Sequence, residues 1–106
     1  MEVLLLMRNP DKTYGSVKTK AYSFGEVDLV VHRDAVDGYS WRVSDVPSGS
    51  TFSYISQTKK KAIADFYEKE ILPKLIDFRK TAKYKYLCEK LIDVELKTLE
   101  EEVKNG

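Results

Sequence analysis

Histidine and cysteine are nearly missing from this chain, which has one of each, His32 and Cys88. A single cysteine excludes an internal disulfide, so the fold needs no oxidising compartment and a cytoplasmic setting is expected. With one histidine and one distant cysteine there is no Cys/His set at metal-ligand spacing, and no metal or cofactor is expected. Long apolar runs are missing too. The longest, Val3 to Met7, is far too short to span a bilayer or form a signal-peptide core. With five glycines and three prolines, the composition gives no sign of a disordered or low-complexity segment.

Nucleotide and catalytic signatures are equally scarce. The chain contains no Gly-x-Gly-x-x-Gly and no Gly-x-Ser-x-Gly elbow. Ser48-Gly49-Ser50-Thr51 lacks the lysine a phosphate-binding loop requires and reads as a hairpin turn. Asp34 and Asp37 bracket a turn, but the third and fifth positions counted from Asp34 are Val36 and Gly38, which cannot complete a calcium loop. His32 reads as a solvent-facing or structural histidine, and Cys88 as a small core hydrophobe among apolar helical neighbours. No enzyme is expected.

What is present is a change of hydrophobic period near Gln57. Before it, apolar residues alternate between turn signals, as in Tyr39-Ser40-Trp41-Arg42-Val43-Ser44. After it they recur every three or four positions, as in Ile63, Phe66, Tyr67 and Ile71. A chain of 106 residues suits one domain over 1–106. The pattern predicts an α+β fold: an antiparallel meander of three to five strands within residues 3–55, then two helices at about 58–72 and 74–103 broken at Pro73. Turns are expected at Asn9-Pro10-Asp11, at residues 34–38 and at Val46-Pro47-Ser48-Gly49, and Thr51 to Ile55 reads as a short last strand. Tyr39 and Trp41, at alternate strand positions, read as core aromatics.

Charge is unevenly distributed. Residues 58–90 carry ten basic and five acidic side chains, a net +5, whereas residues 91–106 carry two basic and five acidic, a net −3. Lys59, Lys60, Lys61, Arg79, Lys83 and Lys85 are candidate contacts for an anion or nucleic acid, with tyrosines interleaved as Lys83-Tyr84-Lys85-Tyr86. Against that stands a whole-molecule charge of only +1. Ile92, Leu96, Leu99 and Val103 recur with 4-3-4 spacing, the seam of a coiled coil over less than two heptads. They are the candidate protein interface, on last turns (about 92–106) expected to project.

Strands carrying Trp41-Arg42-Val43, the Ser48-Gly49 turn, a further strand, and Thr58-Lys59-Lys60-Lys61-Ala62 opening a helix resemble the three-stranded-sheet-plus-helix modules at the N-termini of some phage-type integrases. The resemblance covers about half the chain and is one of architecture. It implies DNA contact through a sheet face, although this chain lacks the basic sheet such modules present. Two functional expectations follow. The first is a small non-enzymatic binding protein acting by protein–protein contact, regulatory or inhibitory in role and able to self-associate through its last helix. The alternative is a nucleic-acid-binding module using the basic segment 59–90.

Overall fold

The computed structural model describes residues 1–35, 37–52 and 56–105, the side chain of Asn105 excepted. Four strands, β1 (Glu2–Arg8), β2 (Tyr14–Ser23), β3 (Leu29–Arg33) and β4 (Trp41–Asp45), pair antiparallel in chain order. Three helices follow: α1 (Lys59–Glu68), α2 (Ile71–Phe78) and α3 (Ala82–Asn105). The α+β class and the meander agree with the hydrophobic periods. The expected last strand is only partly visible. Thr51 and Ser56 bridge to Ser44 and Trp41 of β4, while residues 53–55, like Val36 in the 34–38 turn, lie outside the described residues.

β2 serves two partners in the one sheet. Its first part, Tyr14 to Lys20, pairs with β1, and its last three residues pair with β3. Where the partner changes, the apolar face changes as well. Val17 and Ala21 point to the side of the sheet away from the helices, as does Leu5 of β1, whereas Tyr22 and then Phe24 pack against the helical side. This is why the sequence alternation slips phase at Tyr22. Two strands are shorter than the apolar alternation in the sequence predicts, at Val27, Leu29 and Val31 and at Tyr39, Trp41 and Val43. Val27 lies before β3 and is 74% exposed, and Tyr39 lies before β4 and is 70% exposed, so Tyr39 is not a core aromatic.

The sheet curls until the turn after β4 reaches β1. Gly49 adopts φ +70°, and a Cβ there would lie 2.7 Å from the Leu6 carbonyl oxygen and 2.9 Å from its nitrogen. Glycine is required on both counts, since a side chain would meet backbone that cannot swing away.

The helical half divides differently from the expectation of two helices broken at Pro73. The first break is at Lys69 and Glu70, with Glu70 in the left-handed region at φ 53°. Pro73 is the third residue of α2. The first N–H groups of a helix have no carbonyl partner, so proline there forfeits no hydrogen bond and does not break the helix. A second break falls at residues 79–81, where the Thr81 hydroxyl accepts from the Tyr84 N–H at 3.2 Å and starts α3. Thr58 caps α1 as its sequence position suggests, accepting from the Lys61 N–H at 3.1 Å.

Helix α1 packs on β3 and β4 at Val31 and Val43, which share the face of Tyr22. Helix α3 packs on β1 and β2, where Tyr86 meets Tyr14 on that same face of β2, so the helices share one side of the sheet. Between them lies a core of Leu29, Val31, Val43, Ala62, Phe66, Ile71 and Leu75. Phe66 is fully buried, with Phe24 edge-on at 5.6 Å. Such aromatic pairs add about 0.5–1.5 kcal/mol beyond the area they bury.

A candidate protein interface on the last helix

Twenty-four residues make α3 about 36 Å long. It carries two apolar stripes. Tyr84, Leu87, Leu91 and Val94 face the body of the protein: Tyr84 meets the ring of Phe78 edge-on at 5.8 Å, Leu87 reaches the cleft beside Leu6 and Gly49, and Leu91 is buried. The second stripe, Ile92, Leu96, Leu99 and Val103, is rotated from the first by roughly 130° at about 100° per residue. Those four side chains are 54%, 54%, 56% and 80% exposed. From Glu95 to Lys104 every residue is exposed. Leu96, Leu99 and Val103 also line a shallow depression of about 370 Å³ bordered by Glu100 and Lys104. All four residues expected at a protein interface therefore lie together on one uncovered face.

The candidate nucleic-acid contacts are not gathered in this way. Arg79 is part of the interior architecture: its guanidinium donates to Asp45 Oδ1 through Nη2 at 2.7 Å and Nε at 3.2 Å, and to the Val27 carbonyl at 2.7 Å. Lys61 pairs with Asp65 one turn on, at 3.3 Å. Lys59 lies 4.2 Å over the ring of Tyr22, a cation–π contact. Lys60 is exposed on the first turn of α1. Lys83 and Lys85, exposed in α3, are two residues apart and so point to different sides of the helix. The interleaved tyrosines are engaged as well, Tyr84 with Phe78 and Tyr86 with Tyr14 at 6.3 Å. On the face of the four strands turned away from the helices the cation is Arg42, ion-paired with Asp34.

The same face holds a buried polar group whose partner the sequence does not indicate. His32 is only 5% exposed. Its Nδ1 lies 2.7 Å from the Arg33 carbonyl, which can only accept, so Nδ1 carries the proton. Its Nε2 lies 2.7 Å from Ser44 Oγ, which donates to it and lies 3.4 Å from Thr51 Oγ1. A serine donating to a histidine is the arrangement of a nucleophile and its base. Here Ser44 is 1% exposed, set in the wall of a 290 Å³ cleft that Leu5, Val17 and Arg42 also line. The pair works as a structural tie between β3 and β4. His32 and Ser44 occupy diagonal positions of one hairpin. Only the register of β3 on β4 brings them together, and it differs from the one a turn at residues 34–38 predicts, since β3 ends at Arg33 and β4 begins only at Trp41.

Burial, as the largest cause, holds the His32 pKa below its ordinary 6.5, with the Arg33 carbonyl pulling it upward. The unfolded chain therefore takes up a proton more readily than the folded one. Stability from this source is complete above about pH 6.5 and falls as pH drops toward the folded-state pKa. Denaturant titrations at about pH 7 and pH 5 should show a loss that shrinks in His32→Gln. An equal loss in both proteins would remove His32 as its source.

Among the described residues, no three His, Cys, Asp or Glu side chains converge where they could hold a metal ion, and no helix is long and apolar enough to cross a membrane. Cys88 is half-buried with a free thiol. Compared with known proteins, the chain matches no family model, no curated protein and no solved structure.

Proposed function

We propose that this protein is a small binding module that acts by protein–protein contact and presents the second stripe of α3 to its partner. The observation that carries the reading is the placement of Ile92, Leu96, Leu99 and Val103, four large apolar side chains more than half exposed along a single helical face. Scattered exposed apolar residues are ordinary, but a contiguous stripe is the mark of an interaction surface. Covering the part of each side chain still exposed contributes about 1–2 kcal/mol, some of which offsets the entropy of association. The sheet and the first two helices form a body from which the stripe is displayed, a form of recognition that lays an apolar helical face against a partner. A regulatory or inhibitory role in a reducing compartment such as the cytoplasm fits a chain with one half-buried cysteine.

Nucleic-acid binding through the basic segment draws less support, because Arg79, Lys61 and Lys59 each make a contact within the fold.

The test is the double variant Leu96→Glu/Leu99→Glu. Both side chains are exposed, so the melting transition should stay within about 0.5 kcal/mol of the parent protein. Partners that co-purify with the parent from its native host should be lost. A variant that is strongly destabilised, or that keeps every partner, would count decisively against the proposal.

A further inference from the structure

The stripe on α3 has a feature that selects among partners. With Ile92 and Leu99 at the d positions of a heptad and Leu96 and Val103 at a, the flanking e and g positions are Asp93, Glu95, Glu100 and Glu102. All four are acidic and exposed. Lys97 and Lys104 lie one step further out, at the b positions. The seam is therefore an apolar strip with carboxylates along both edges.

Resting on the protein–protein reading above, we infer that this seam takes a basic amphipathic helix of another protein, one with an apolar stripe edged by lysine or arginine, and not a second copy of itself. Self-pairing fails on charge in either orientation. In a parallel pair each g position meets e of the partner helix, which sets Glu95 against Glu100 of the other copy. In an antiparallel pair e meets e and g meets g, which sets Asp93 against Glu100 and Glu95 against Glu102. Every such contact is carboxylate against carboxylate. An anionic lipid surface meets the same repulsion, since helices that lie on membranes carry lysine and arginine beside the apolar face. A helix with basic edges turns each of these repulsions into an ion pair. Matched edge charges of this kind set partner choice and orientation more than raw affinity.

Two synthetic helical peptides with the same leucine stripe, one with lysine and one with glutamate at every edge position, test the inference by fluorescence anisotropy with the full chain. The lysine peptide should bind tighter by about tenfold or more, the scale expected of several exposed ion pairs formed in one case and opposed in the other. The preference should fade near 1 M salt, where the screening length falls to about 3 Å. In Glu95→Lys/Glu100→Lys/Glu102→Lys the preference should reverse. Asp93 is left unchanged there because it also borders the cleft beside Lys12 and Tyr14. Leu96→Glu/Leu99→Glu should abolish binding of both peptides.

Equal binding of the two peptides would overturn the charge inference while leaving the proposed function in place. Binding that survives Leu96→Glu/Leu99→Glu would place the contact elsewhere and overturn the inference. Failure of both peptides alongside a dimer in sedimentation would make a second copy the occupant, again overturning it. Failure of both alongside a clean monomer would sink the inference and the protein–protein reading together.

Discussion

Arg79→Met should lower stability by about 3–5 kcal/mol, the usual result of removing one partner from a buried ion pair. Asp45 has no solvent exposure, and its Oδ1 takes both hydrogen bonds from the Arg79 guanidinium. Its Oδ2 accepts from the Ser48 hydroxyl at 2.7 Å and from the Ser48 N–H at 3.3 Å. Methionine matches the arginine stem but leaves this carboxylate enclosed with neutral donors alone. The pair also joins three parts of the chain: the end of β4, the turn leading to Gly49, and the end of α2, with the Val27 carbonyl as a further anchor. For a domain of this size each kcal/mol moves the melting midpoint by about 4–8 °C, so a fall of roughly 15–30 °C is expected by calorimetry or circular dichroism. Adding Asp45→Asn to the methionine variant should recover part of the loss, because the stranded group is then neutral. A loss below about 1 kcal/mol would show that water reaches the carboxylate and that the pair does not hold the layers together.

Phe66→Ala should be about as damaging, at about 3–5 kcal/mol, the range for emptying a buried aromatic position. Phe66 has no exposure and lies between the sheet and the helices, with edge-on contacts to Phe24 at 5.6 Å and Tyr67 at 5.4 Å. Leu29, Val31 and Val43 are held by strand pairing and cannot collapse far into the space left behind. A urea titration reads the effect as a lower midpoint with little change of slope. A cost under about 1.5 kcal/mol would mean that α1 closes onto the sheet and fills the cavity.

These two residues differ in how legible they are in the sequence. Phe66 follows from spacing: with Ala62 and Ile63 it falls on one face of a helix that Thr58 opens, and a helix beside a small sheet buries that face. Arg79 reads in the sequence as one member of a basic set, because nothing there signals that Asp45, thirty-four positions earlier, lies beneath it. The same contrast separates the strands. The core residues Leu29, Val31 and Val43 lie in the alternating segments the sequence marks, whereas Tyr39 shares that alternation and lies outside β4. Local pattern fixes which face a residue would take within an element. It does not fix where the element stops, since strand ends depend on which neighbour offers hydrogen bonds.

Pro73 shows the same limit from the other side. A proline inside a helical pattern predicts a break, but its cost depends on whether its position would have needed an N–H. Because α2 begins at Ile71, the first turn accommodates it, and the chain breaks instead at Glu70 and at Thr81.

By itself, then, the order of residues determined the fold class, the meander, the cap at Thr58 and the apolar seam from Ile92 to Val103, because each depends on side-chain periodicity or on groups only a few positions apart. Tertiary structure alone decided that Arg79 is joined to Asp45, that His32 is bonded to Ser44, that Gly49 lies on Leu6, and that one stripe of α3 is covered while the other is bare. Those outcomes turn on which distant segments meet, and that is settled by register and packing after the elements exist.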